Sequence, residues 1–198
     1  QILGYEQIAK VDCEYPLDCT REEFMEIIIE ALEEQGVSAN LLKEIAAFRA
    51  HYPVEEALQN RVTAPDMPYY GRETFEMAYA LLQGENILLT GSKATGKNIL
   101  AENLAWVFGR PSYNMSFHVN MDSSALVGAD TFRGGEVQLR PGPVYQCAVN
   151  GGFGIFDEIN MAKNDAVSVL HATLDYRRIM DVPGYDKIHL HDATRFIG

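Results

Sequence analysis

Apolar residues recur at helical spacing in two stretches near the start of the chain. The first follows a capping box formed by Thr20 and Glu23 and stops at Gly36; its apolar positions are Phe24, Ile27, Ile28 and Ala31. The second can be capped by Ser38 or Asn40 and ends before Pro53; its apolar positions are Leu41, Leu42, Ile45 and Phe48. The pattern predicts two helices. Residues 1–65 are therefore interpreted as a small helical N-terminal region.

From residue 66 onward, short apolar runs alternate with stretches of helical spacing. Pro65 and Pro68 disfavour a continuous helix and mark the predicted boundary. The predicted helices cover residues 73–82, 97–108 and 162–175, and another starts at Asp122 or Ser123. The predicted strands cover residues 86–90, 113–118, 153–157 and 193–197. This alternation predicts an α/β fold, a three-layer αβα domain with a parallel sheet over residues 66–198.

The net charge of the chain indicates which classes of binding partner are expected. The 198 residues include 28 acidic and 16 basic side chains, a net charge of −12. Because contact with phosphate backbones depends on Lys and Arg, nucleic acid is disfavoured as a partner. No apolar stretch approaches the roughly 20 residues of a membrane span, and the first residues lack the layout of a signal peptide. A cytoplasmic setting is expected.

The segment GSKATGKN, which follows the strand of residues 86–90, matches the phosphate-binding P-loop pattern. It departs only at its last position, where Asn98 stands in place of Ser or Thr. Glycines let such a loop wrap a phosphate, backbone N–H groups and a helix N-terminus point at it, and Lys97 adds a positive charge. The predicted nucleotide-binding residues are Gly91, Ser92, Lys93, Ala94, Thr95, Gly96, Lys97, Asn98 and Ile99.

A second motif is the apolar run of residues 153–156, which ends in Asp157 and Glu158. By itself it also fits a core strand that ends in an acidic turn. Beside a P-loop it is interpreted as a Walker B motif, in which Asp157 holds Mg²⁺ and Glu158 polarises the attacking water. Glu158 and Lys97 are the predicted catalytic residues. Asn98 is a predicted second Mg²⁺ ligand, with a purely local hydrogen bond as the alternative.

The order of these motifs, together with FDEINMAKNDAVSVLHATLD at residues 156–175, resembles the MoxR branch of the AAA+ ATPases. Asn160 and Ala162 fit that family's extension of Walker B. The family also carries a hairpin inserted in helix 2, which matches residues 131–139 with their Gly134-Gly135 turn. Its hairpin before sensor 1 matches residues 178–190, which turn at Pro183 and Gly184. The resemblance covers residues 66–198.

This resemblance implies an ATP-hydrolysing remodelling or maturation factor with ATP and Mg²⁺ as cofactors. Relatives act as homo-oligomeric rings, often hexamers, on a client protein, in several cases with a partner that bears a von Willebrand factor A domain. Their sensor Asn, arginine finger and helical lid would follow Gly198, so the domain is expected to be truncated before them. Two alternatives are a nucleotide-dependent binding module without turnover, which Asn98 favours, and a nucleic-acid-directed AAA+ motor.

Overall fold

The computed structural model describes residues 39–67 and 72–198. Its α-helices are α1 Ala39–His51, α2 Arg72–Leu82, α3 Lys97–Val107, α4 Ser123–Val127, α5 Pro143–Val149 and α6 Asn164–Leu174. Its strands are β1 Ser112–Ser116, β2 Gly128–Arg133, β3 Glu136–Pro141, β4 Phe153–Asp157, β5 Ile179–Met180, β6 Ile188–His189 and β7 Arg195–Ile197. Short 3₁₀ helices span Glu56–Arg61 and Ile159–Met161. The first predicted helix, at residues 20–36, lies outside the described residues.

The central sheet is parallel, with strand order β1-β4-β7. Ser112 lies opposite Phe153, and Phe153 lies opposite Arg195, so the three strands end at the same edge. Consecutive residues of β4 point to opposite faces, as strand geometry requires. Ile155 belongs to a core shared with α2 and α3, whereas Phe156 belongs to a second core shared with α5 and α6. The predicted α/β fold with helices on both faces of a parallel sheet is confirmed.

The predicted strand at residues 86–90 is shorter in the structure than expected. It contains one parallel bridge, Ile87 to Ile197, and the Leu89 amide also donates to the Gly198 carbonyl. The Ile87 amide donates to the Phe196 carbonyl, and the Gly198 amide donates to the Ile87 carbonyl. Among the described residues this segment is an outer edge of the sheet, and Leu88 is 67% exposed there. An edge segment with one paired side supports less regular strand structure than a central one.

Both predicted hairpins are present. In the first, β2 and β3 pair from Gly128 opposite Pro141 to Arg133 opposite Glu136. Its two-residue turn has both glycines at positive φ, the conformation that a tight hairpin turn needs. In the second, β5 and β6 pair antiparallel through two residues each. The hydroxyl of Tyr185 donates to Asp130 at 2.8 Å, which links the two hairpins and raises the pKa of Tyr185.

The helix α1 packs on the same core as α3. Ile45 and Phe48 are buried there, and the Phe48 ring meets the Phe108 ring edge-on at 5.2 Å. Residues of the predicted N-terminal region therefore contribute to the core beneath the P-loop helix. The division of the chain at residues 65 and 66 stays a prediction.

Two buried arginines join the layers through backbone carbonyls. Arg110 donates to the carbonyls of Gly151 at 2.7 Å and Tyr52. Arg195 donates to the Leu81 carbonyl at 2.7 Å and to the Asp192 carbonyl at 2.6 Å. Burial lowers the pKa of Arg195 to about 10, so this side chain stays protonated at neutral pH.

The described helices, which lie in residues 39–67 and 72–198, are too short or too polar to span a lipid bilayer.

Candidate nucleotide-binding site

The loop between residues 90 and 97 folds back on itself. The Thr95 hydroxyl donates to the Ser92 carbonyl at 3.0 Å. The Lys97 ammonium donates to the carbonyls of Ser92 at 2.7 Å and Gly91 at 3.2 Å. Ala94 and Gly96 have φ values of 60° and 83°, the left-handed conformation that turns a backbone tightly. The conformation is that of a loop closed around its own lysine.

The helix α3 begins directly after this loop. Gly96 precedes its first residue, and the first helical hydrogen bond runs from the Leu100 amide to the Gly96 carbonyl. The amides of the first turn thus have no helical acceptor and point toward the loop. No acidic residue stands in that first turn. The dipole and the amides of this 11-residue helix therefore favour an anion at the loop.

The predicted acidic pair lies at the end of β4. Asp157 is half-buried and is the last strand residue, opposite Ser116 of β1. Glu158 is exposed and adopts a left-handed backbone conformation with φ of 53° and ψ of 39°. A non-glycine residue in this region is uncommon and carries a conformational cost. The chain turns sharply here, because the Met161 amide bonds back to the Glu158 carbonyl at 2.8 Å.

An ion pair connects the loop with the acidic pair. The Lys93 ammonium lies 3.9 Å from the Glu158 carboxylate. The structure thus brings the P-loop and Glu158 side by side, although 64 residues lie between Lys93 and Glu158 in the chain.

Comparison with known proteins identifies the family that has this arrangement. Residues 86–198 match the family described as AAA domain, dynein-related subfamily. The chain belongs to this AAA family. An AAA domain is a nucleotide-binding domain, so the loop and the acidic pair are the place at which nucleotide is expected.

Relatives of the AAA domain come from several bacteria. The uncharacterized protein YojN of Bacillus subtilis is 37% identical over 113 residues, which are 55% of this chain and 37% of that protein. An uncharacterized protein of Staphylococcus epidermidis is 37% identical over 115 residues, 55% of this chain and 44% of its own length. The chain therefore spans less than half the length of these relatives.

A solved structure has the same fold. It is a "putative ATPase" from Cytophaga hutchinsonii, with a TM-score of 0.52 and 18% sequence identity. The alignment covers 87% of this chain and 46% of that one. At this identity the likeness concerns the fold.

The residues of the AAA domain fit a divalent cation that nucleotide helps to hold. Within the described part of the chain, no hydrogen bond or ion pair engages the side chain of Asp157 or Asn98. Asn98 is exposed at the first turn of α3. No group of three His, Cys, Asp or Glu side chains converges in residues 39–67 and 72–198. One carboxylate and one amide oxygen leave most Mg²⁺ positions to phosphates and water, as Mg²⁺ commonly requires.

Two supporting asparagines were not predicted. Asn86 donates to the Leu174 carbonyl at 3.0 Å and accepts from the Phe196 amide at 2.9 Å, so it ties the edge segment to α6 and β7. The buried Asn103 donates to the carbonyls of Ile99 at 2.8 Å and Met67 at 2.9 Å. Ile99 itself lies in the first turn of α3. The sequence signal that could have identified Asn103 is a polar residue among the apolar positions of a predicted helix.

Proposed function

We propose that the chain is part of an ATP-hydrolysing AAA+ ATPase of MoxR type that remodels or matures partner proteins. The observation that carries the proposal is the contact between the P-loop and the acidic pair, the 3.9 Å approach of Lys93 to Glu158. Proximity of a predicted phosphate-binding loop to a candidate general base supports ATP hydrolysis at this site. Fold alone would not distinguish such a site from that of an inactive relative.

Each residue of the proposed ATP site has its own role. The loop backbone, the N-terminus of α3 and Lys97 bind the phosphate chain. The nucleotide contacts are proposed for residues 91–99. Asp157 and Asn98 hold Mg²⁺, which offsets the charge that builds up during phosphoryl transfer. Glu158 orients the attacking water and accepts its proton, a role open to it because its carboxylate is exposed.

Assembly and partners follow from the resemblance to MoxR-type proteins. We propose a cytoplasmic homo-oligomeric ring, a hexamer in relatives, in which an arginine of one subunit completes the site of the next. The client is a protein, reached directly or through a partner with a von Willebrand factor A domain. The two hairpins, β2–β3 and β5–β6, support this assignment because they stand where MoxR-type proteins carry theirs. We further propose that residues 1–65 form an acidic helical region attached to the ATPase core of residues 66–198.

A second candidate is a nucleotide-dependent binding module without turnover. Asn98 favours it, because the hydroxyl that usually joins the Mg²⁺ shell is missing. Both candidates bind ATP, and they differ in whether phosphate is released. Steady-state phosphate release by the full-length protein separates them.

The test of ATP hydrolysis compares three variants of the full-length protein. Because Glu158 acts on the water, Glu158→Gln should keep ATP binding and lower turnover by at least about a hundredfold. Lys97→Ala should lose both binding and turnover, because Lys97 contacts the phosphates themselves. Glu136→Gln is the matched control, since Glu136 is exposed on a hairpin, and it should behave like the parent. Parental turnover in Glu158→Gln would overturn the assignment of the base.

A further inference from the structure

The side chain of Lys93 is unusual among those of the loop. It is 93% exposed and contributes no packing, and its ammonium reaches across to Glu158, whose side chain is 41% exposed. Neither side chain has another ion pair or hydrogen bond within residues 39–67 and 72–198. The ion pair is therefore the single interaction that positions either group.

The backbone explains why Lys93 reaches outward. Lys93 and Ala94 form a turn, and Ala94 is in the left-handed conformation with φ of 60°. Lys97 instead contacts the carbonyls of Gly91 and Ser92. The loop thus carries two ammonium groups with different partners. One is held by the loop itself, and the other is held by the candidate base.

The exposed ion pair is easily exchanged for a stronger one. Ion pairs between exposed side chains contribute little to stability, because water screens them and both side chains lose freedom. A terminal phosphate group carries about 1.5 to 2 negative charges and three strong acceptor oxygens, whereas a carboxylate carries one charge and two oxygens. ATP bound in this loop therefore offers Lys93 a better partner than Glu158. ADP lacks the terminal phosphate.

We propose that Lys93 changes partner when ATP binds: Glu158 holds it in the nucleotide-free protein, and the terminal phosphate holds it in the ATP complex. This inference rests on the proposed function. Lys93 then serves as a sensor of the third phosphate. Its departure also leaves the Glu158 carboxylate without this ion pair. No bond forms or breaks in this step.

Equilibrium binding to the full-length protein tests the exchange without turnover. The probes are ATPγS and ADP, each with Mg²⁺, measured by isothermal titration calorimetry. Lys93→Met should weaken ATPγS binding by about fivefold and ADP binding by less than about twofold, because only ATPγS presents the terminal group. Lys93→Arg should restore most of the ATPγS affinity. The matched control is Lys187→Met, which removes another exposed lysine with a 3.0 Å ion pair, to Asp181.

A double-mutant cycle tests the competition with Glu158. If Glu158 competes with the phosphate for Lys93, the loss caused by Lys93→Met should be larger in a Glu158→Gln background than in the parent. An equal loss in both backgrounds, or an equal loss of ATPγS and ADP affinity, would overturn the exchange. A separate measurement tests the proposed function. If the parent protein binds both nucleotides but releases no phosphate, it is not an ATPase. The comparison of ATPγS and ADP binding still tests the role of Lys93 in that case.

Discussion

Gly154, in the middle of β4, offers a sharp test of how the sheet supports the acidic pair. A Cβ atom there would lie 2.4 Å from Cδ1 and 2.7 Å from Cε1 of Phe196, and 3.2 Å from the Cε of Met115. Phe196 is the direct neighbour in the parallel ladder, and its ring stacks on Phe156 at 5.1 Å. Phe196 and Met115 are only 2% and 4% exposed. None of these groups can yield toward solvent.

We expect Gly154→Ala to destabilise the protein by about 1 to 2 kcal/mol. Overpacking of a close-packed core typically costs about 1 to 3 kcal/mol. Alanine also reduces the entropy of the unfolded chain, which offsets about 0.4 to 1 kcal/mol, since Gly154 lacks a positive φ. For about 200 residues the net loss corresponds to a melting temperature lower by about 2 to 8 °C. Thermal unfolding followed by circular dichroism measures it.

Two comparisons make the Gly154 result interpretable. Gly198→Ala is the matched control, because a Cβ there would lie 3.4 Å from the Phe156 Cβ, an ordinary contact. It should not lower the melting temperature. The double variant Gly154→Ala with Phe196→Leu should lose less stability than the sum of the single variants, because leucine vacates the ring position. A melting temperature of Gly154→Ala within about 1 °C of the parent would refute the packing argument.

Two further predictions concern the metal and the buried arginine. Asn98→Ala should weaken Mg·ATP binding much more than metal-free ATP binding, and Asn98→Ser should largely restore Mg·ATP binding. Titration calorimetry measures both affinities. If the parent and Asn98→Ala bind Mg·ATP equally well, Asn98 is not a Mg²⁺ ligand. Arg110→Met should lower the free energy of unfolding by about 2 to 4 kcal/mol, because the carbonyls of Tyr52 and Gly151 lose a charged donor. Urea denaturation measures this loss, and a parental midpoint would contradict it.

The sequence predicted the structure best in motifs whose function or turn geometry requires particular residues at fixed spacing. Glycines and a lysine at P-loop intervals between an apolar run and a helical pattern predicted the loop that the structure contains, with α3 starting at Lys97 as expected. The predicted strand of residues 153–157 matches β4 residue for residue. Both hairpins were predictable because Gly134-Gly135 and Pro183-Gly184 are turn residues between strand-like segments. The geometry of such loops and turns depends on residues that are neighbours in the chain, so it can be predicted from the sequence.

Other features depended on residues that are distant in the chain. The segment of residues 86–90 has the composition of a strand, but its pairing depends on Ile197 and on its place at an edge of the sheet. The burial of Arg110 and Arg195 could not be read from a sequence pattern, because charged residues are normally exposed and only tertiary contacts supply the carbonyls that satisfy them.

The α/β fold, the P-loop, the acidic pair and the two hairpins were all predictable from the order of the residues. The contact of Lys93 with Glu158 and the core that α1 shares with the P-loop helix became apparent only in the folded chain. The two groups of features differ in the range of the interactions that form them. Helix caps, turns and phosphate loops form between residues close in sequence, whereas the 3.9 Å ion pair depends on β7, which lies between β4 and the segment that leads into the loop.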